Sequence, residues 1–73
     1  MMDEKLKVYK YQDGIEIAGN RKGLRHLAEI CLALSNLAET EVGTPANHYH
    51  VADYMNNAED GSIPLVILLN NEL

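Results

Sequence analysis

His48 and His50 are the residues of this 73-residue chain whose type and spacing best suit chemistry. They stand in the stretch "ANHYHV", residues 46–51, and the chain has one further histidine, His26. Residues two apart in a β-strand project from the same face, so a strand here places both imidazoles side by side. Such a pair can bind a metal ion, titrate near neutral pH or contact a partner protein.

A metal site needs more donors than this pair supplies. Zinc takes at least three protein ligands in a catalytic site and four in a closed structural site. We expect His26 on a helix that covers the opposite sheet face, and no spacing rule selects Asp53 in the next loop. We therefore predict no metal and no cofactor. The favoured interpretation is a polar pair in a protein interface, beside plain surface histidines and, as a minor alternative, a metal-binding His-x-His strand.

The other reactive side chains do not form a catalytic pattern. Ser35 and Ser62 have no base at a motif spacing, and the lone Cys31 lies in an apolar helical run, where free cysteine is usually buried. The segment "GNRKG" at residues 19–23 matches neither the P-loop nor the dinucleotide-binding motif. We predict no catalytic residues and no enzymatic activity.

The first half of the chain predicts a β-hairpin followed by a helix. Residues 5–11 alternate in hydrophobicity, Asp13-Gly14 marks a tight turn, and residues 14–18 form the returning strand. Asn20 is suited to cap a helix over residues 21–38. The helical spacing predicts one buried face, with Ile30 and Leu37 at its margin and Leu32 exposed; the face consists of Leu24, Leu27, Cys31, Leu34 and Ala38.

The second half predicts two more strands, at residues 47–51 and 63–69, with Pro64 near the start of the last one. The order β-β-α-β-β indicates an α+β fold. We expect a single domain over residues 1–73, with a mostly antiparallel four-stranded sheet and one long helix on one face. Tyr49 and Val51 suit the face under the helix. The open face then holds the histidine pair together with Val66, Leu68, Tyr9 and Tyr11, as a surface for self-association or for a partner.

Charge and hydropathy limit the function further. Eleven acidic against six basic residues give a net charge of −5, which opposes nucleic acid as a partner because phosphate binding needs basic surface. The longest apolar run, residues 63–69, is too short to cross a bilayer. The first ten residues lack the pattern of a signal peptide. We expect a cytoplasmic protein without membrane association, whose acidic surface suits a basic protein partner.

Several segments together resemble the small α+β immunity proteins of bacterial polymorphic toxin systems, and most closely the immunity protein 32 family. They are "IEIAGNRKGLRHLAEICLALS" at residues 15–35, "HYH" at residues 48–50 and "EDGSIPLVILL" at residues 59–69. The resemblance covers roughly residues 15–69. The residues that support it are Gly19, Asn20, Gly23, Leu24, Leu27, Ala28, His48, His50, Gly61 and Ser62.

The resemblance implies a non-enzymatic protein that binds and neutralises a toxin domain. It does not name the toxin. From the residues, we expect the partner contacts at His48, Tyr49, His50, Asp53 and Tyr54. The alternative hypothesis is a small homodimeric structural domain in which open sheet faces or edges pair.

Overall fold

The computed structural model describes residues 3–73, which form four strands and one α-helix. The elements are β1 (Leu6–Tyr11), β2 (Gly14–Gly19), α1 (Arg21–Ser35), β3 (His48–Val51) and β4 (Leu65–Leu68). The α+β class and the β-β-α-β-β order are confirmed. The helix ends three residues before the predicted Ala38, because Asn36 leaves the helical path and bonds back to Ala33 and Leu34.

The four strands form two antiparallel pairs, β1–β2 and β3–β4, and each pair is a separate sheet. Residues 59–63 lie along the second edge of β1: the Glu59 N–H donates to the Leu6 oxygen at 2.7 Å, and the Ile63 N–H donates to the Val8 oxygen at 2.7 Å. Between these bonds the Ser62 hydroxyl accepts from the Val8 N–H at 3.2 Å. A side chain thus replaces a backbone carbonyl, and Pro64 has no N–H to continue the ladder into β4.

The start of α1 is anchored to β1 by Asn20, the predicted N-cap. Its Oδ1 accepts from the Gly23 N–H at 2.7 Å and from the Lys5 N–H at 3.1 Å. Gly23 is buried, and a Cβ at this position would overlap the carbonyl oxygen of Lys5. The first turn of the helix therefore lies directly against the backbone that enters β1.

This close approach sets which face of α1 is buried. Gly23, Ile30 and Leu34 are buried, and Leu27 packs on a core made of Leu6, Val8 and Val51. The prediction of a buried Cys31 was wrong, because Cys31 is exposed, and Leu24 is 47% exposed. The exposure of Leu32 is confirmed at 63%. The buried face of α1 is therefore centred on the side of Gly23, and the side that carries Leu24 and Cys31 stays outside the core.

The core between the two sheets is small. Val8 and Val51 are the largest fully buried side chains among residues 3–73, and Tyr49, Leu65 and Ile67 pack around them from the second sheet. Within the same residues no helix is both long and apolar enough to span a bilayer.

Candidate protein-binding face

The histidine pair lies on an exposed face of the β3–β4 sheet. The register pairs His48 with Leu68 and His50 with Val66, and directly paired residues share a face. Val66 and Leu68 are 51% and 55% exposed, whereas Tyr49 and Val51 point toward the core. The alternation of β3 has the predicted phase. We call the four residues His48, His50, Val66 and Leu68 the histidine face.

The two imidazoles contact each other edge to face. Their ring centroids are 4.9 Å apart and their planes make an angle of 83°. Nδ1 of His48 lies 3.0 Å from Oδ1 of Asn47, whose Nδ2 donates to the Val42 oxygen at 2.8 Å. With its proton on Nδ1, His48 donates to Asn47 and presents Nε2 as an acceptor. The ring is thus oriented by the chain that precedes β3.

The far end of β3 is held by Asn57, a residue that the sequence reasoning did not single out. Its Oδ1 accepts from the Ala52 N–H at 2.8 Å, and its Nδ2 donates to the His50 oxygen at 2.7 Å. One side chain therefore satisfies two backbone groups at the strand end and folds the next loop against it. Asparagine in a polar loop is a general signal for such bonding, but it does not name the partners.

The structure places the five expected contact residues on different surfaces. His48 and His50 share the histidine face, and Tyr49 lies on the opposite face, where it packs against the core. Asp53 follows the strand, and its Oδ2 accepts from the Gly61 N–H at 3.1 Å, which links the two ends of the loop. Tyr54 is 67% exposed in the turn Asp53–Met55.

The residues that we expected together on one open face also belong to two different sheets. Tyr9 and Tyr11 belong to the β1–β2 sheet and not to the sheet that holds the histidines. The hydroxyl of Tyr9 donates to Oε1 of Glu16 at 3.3 Å. Partial desolvation raises the pKa of the Tyr9 phenol above its usual value, and the Glu16 carboxylate raises that pKa further.

A groove of about 360 Å³ runs between α1 and β3 and reaches the histidine face at His48. His26 stands at its helix side, where its Nδ1 lies 3.5 Å from Oε2 of Glu4. Most of the lining is apolar, as in pockets that accept an anchoring side chain of a partner. The lining consists of His26, Glu29, Ile30, Ala33, Leu34, Leu37, Ala46, His48 and Tyr49.

The arrangement offers two imidazoles but no complete metal site. Across residues 3–73, His, Cys, Asp and Glu side chains do not gather in a group of three that suits a metal ion. The two imidazole rings beside exposed Val66 and Leu68 form a mixed polar and apolar surface. Such a surface is chemically suited to contact with another protein.

A comparison with protein families matches most of the chain to a known family. The family model described as immunity protein 32 matches residues 14–70. This range begins at the start of β2 and includes α1, the histidine face and the loop held by Asn57. No curated protein and no solved structure matches the chain.

Proposed function

Because the chain belongs to the immunity protein 32 family, we propose that it binds a toxin domain and neutralises it through the histidine face. Family membership gives an immunity role in general and implies a toxin as the protein partner. The observation that favours this surface is the exposure of Val66 and Leu68 directly beside the paired imidazoles. Immunity proteins are generally non-enzymatic, and we propose the same for this chain.

The chemistry of the histidine face supports a protein ligand. Val66 and Leu68 are each about half exposed, so a partner that covers them removes apolar surface from water. His48 and His50 lie directly opposite Leu68 and Val66 on the neighbouring strand and can donate to or accept from polar groups of the partner. This combination of an apolar centre with orienting polar groups is typical of protein interfaces.

The groove between α1 and β3 extends this surface. His48 belongs to both, so one ligand can cover the histidine face and insert an apolar side chain between the helix and the strand. Anchors of this kind contribute a large share of binding energy in many complexes. Tyr49, which lines the groove, becomes a contact residue by this route. Asp53 and Tyr54 extend the contact from the turn that follows β3.

The net charge of −5 indicates a basic partner. Opposite net charges speed association and disfavour wrong partners. We place the complex in the cytoplasm, where an immunity protein would meet a toxin made by or delivered to its own cell.

Replacement of both histidines tests the proposal. A toxin domain captured from lysate of the source cells with the wild-type chain as bait is titrated with wild type and with the His48→Ala/His50→Ala variant by calorimetry. We expect binding to weaken at least about tenfold, since two contacts at the centre of an interface are lost. The melting temperature should stay nearly unchanged, because His50 is exposed and His48 is half-buried.

Lys7→Ala is the matched control. Lys7 is exposed on the other sheet, so its loss should leave toxin affinity unchanged. Equal affinity of the double variant and wild type would rule out the histidine face. A collapse of the melting temperature in the double variant would instead make the pair structural.

A homodimeric structural role is the second candidate function. It is favoured by the apolar surface that the fold leaves open on β2 and α1, which lies apart from the histidine face. The two roles do not exclude each other, because they use different sheets.

A further inference from the structure

The strand β2 has one paired edge and one open edge. Its inner edge pairs with β1, and among residues 3–73 no strand pairs with its outer edge. Residues 59–63 occupy the other side of β1, so β2 lies at the end of the molecule remote from β3 and β4. Open strand edges are usually protected by lysine, proline or a bulge. The segment "GIEIAG" contains no lysine or proline, its pairing with β1 runs without a bulge, and Glu16 is its single charged residue.

Hydrogen-bonded and non-hydrogen-bonded residue pairs alternate along an antiparallel hairpin, and this alternation shows which backbone groups of β2 point away from β1. The Asn20 N–H donates to the Lys5 oxygen at 3.1 Å, so the next pair, Leu6–Gly19, is a non-hydrogen-bonded pair. Since the two kinds of pair alternate, the N–H and C=O groups of Gly19, Ile17 and Ile15 point away from β1. Those of Ala18 and Glu16 point toward it.

From this edge we propose that β2 pairs antiparallel with β2 of a second copy of the chain, about a two-fold axis at Ile17. The proposal concerns a surface other than the histidine face and does not depend on toxin binding. In this register Ile17 pairs with Ile17 of the second copy, and Ile15 pairs with its Gly19. Each pair joins outward-pointing backbone groups on both strands, and the result is a four-stranded sheet, β1-β2-β2-β1.

The side chains of β2 select this register over the neighbouring one. With the axis at Ile17, Glu16 lies opposite Ala18 of the second copy. With the axis at Glu16, two carboxylates would lie directly opposite each other, which is unfavourable. A register shifted by one residue would place Ile17 opposite Glu16 or Ala18, whose side chains point to the other face of the sheet. The register about Ile17 therefore avoids facing carboxylates and keeps both isoleucines paired within the strand Gly14–Gly19.

The helix adds apolar surface beside the same strand. Ile17 is paired with Val8, so it lies on the sheet face that packs against the core, yet it is 39% exposed and Ile15 is 57% exposed. Leu24 lies next to Gly19 at the end of β2 and is 47% exposed. A second copy related by the two-fold axis places its own Ile15, Ile17 and Leu24 on this same sheet face. The apolar side chains of the two copies can then pack against one another.

The exposed surface area and the radius of gyration of this chain are both larger than those of a compact monomer of the same mass. A compact monomer of 8.1 kDa exposes about 4,500 Å², whereas this chain exposes 5534 Å². The excess, on the order of 1,000 Å², is comparable to the roughly 800 Å² that each partner buries in a standard interface. The radius of gyration is 13.3 Å, against about 11 Å for a compact chain of this length.

Sedimentation of the whole chain tests the dimer. Wild type is measured from about 1 µM to about 1 mM, and a concentration-dependent monomer–dimer equilibrium is expected. The Ile17→Lys variant places two ammonium groups opposite each other at the axis, and we expect dimerisation to weaken about 100-fold or more. Val66→Lys is the control, because it makes a similar change at a 51% exposed strand position in the other sheet. It should leave the equilibrium unchanged.

Amide hydrogen exchange on wild type tests the register without any variant. In the dimer the amides of Ile15, Ile17 and Gly19 become protected as concentration rises, whereas those of Glu16 and Ala18 are bonded within the hairpin at every concentration. A chain that stays monomeric to about 1 mM, with fast exchange at Ile17 throughout, would overturn the proposal. So would a dimer that survives Ile17→Lys in a folded protein.

Discussion

At the scale of single residues, a few polar side chains replace backbone partners that the fold cannot supply. Ser62 is the clearest case, because it is 6% exposed and its hydroxyl accepts from the Val8 N–H inside the core. Val8 itself is fully buried, so no water can substitute for this bond. Asn57 acts in the same way at the end of β3, and Asn20 at the start of α1.

The replacement Ser62→Ala should therefore destabilise the protein by about 1–3 kcal/mol, the usual cost of a buried donor left without a partner. Urea unfolding measures the change in the free energy of unfolding. Ser35→Ala is the control, since the Ser35 hydroxyl bonds an exposed carbonyl, that of Leu32. An equal effect at both positions would mean that the Val8 amide finds another acceptor.

A second residue-scale feature is the turn between β1 and β2. The two-residue loop is Gln12-Asp13, one position before the Asp13-Gly14 pair that predicted a turn, and Gly14 begins β2 as the predicted strand over residues 14–18 does. Gln12 has φ of 54°, in the left-handed region that favours glycine. The tight turn that the sequence predicts is present, although its position with a positive φ is occupied by Gln12 and not by a glycine.

At the scale of elements, the rotation of α1 decides what the helix buries and what it leaves open. The contact between Gly23 and the backbone of Lys5 brings the Gly23 side of the helix onto β1. Ile30 and Leu34 follow on the same side, and Leu24 and Cys31 are turned outward. The apolar flank next to β2 is a consequence of this single close approach.

The replacement Gly23→Ala should destabilise the protein, by about 1–3 kcal/mol, because the new methyl group meets backbone that cannot move aside cheaply. The sign is diagnostic, since alanine is otherwise favoured over glycine inside a helix by about 1 kcal/mol. Thermal and urea unfolding report the change.

Gly43→Ala is the matched control for this helix contact. A Cβ on Gly43 meets nothing within 4 Å, so stability should change by no more than about 0.5 kcal/mol. A stabilised Gly23→Ala variant would show that the helix does not approach β1 as closely as described.

At the scale of the whole molecule, the chain presents two surfaces at opposite ends of its strand order. The histidine face belongs to the β3–β4 sheet, and the open edge of β2 belongs to the other. The molecule measures 35 × 34 × 19 Å, so it is wide and thin. In a dimer through β2, each copy therefore keeps its histidine face available to a toxin.

The net charge of −5 leads to a prediction at this scale. Toxin association should slow as salt rises from about 50 mM to about 500 mM, because screening weakens attraction between opposite net charges. Stopped-flow association rates measure the effect, and dimerisation through β2 should not weaken, because salt screens the repulsion between two chains of the same net charge. An association rate independent of salt would exclude electrostatic attraction to a basic partner.

Features that depend on residues close together in the chain were predictable from the sequence. Strand alternation put His48 and His50 on one face, opposite Tyr49 and Val51, and Asn20 followed by a helical pattern marked the start of α1. These features depend on spacing and on capping within a few residues, so they can be recognised along the chain. The family resemblance likewise depended on short local segments.

The way in which these elements meet depends on contacts between distant parts of the chain. Ser62 bonds Val8 across 54 residues at the edge of β1, the four strands form two sheets, and Gly23 against Lys5 turns Cys31 outward. A periodic pattern defines the width of an apolar arc, but the closest backbone contact selects which part of that arc is buried. Contacts between distant segments leave no periodic signal, and for this reason the open edge of β2 and the groove at His48 emerge only from the folded chain.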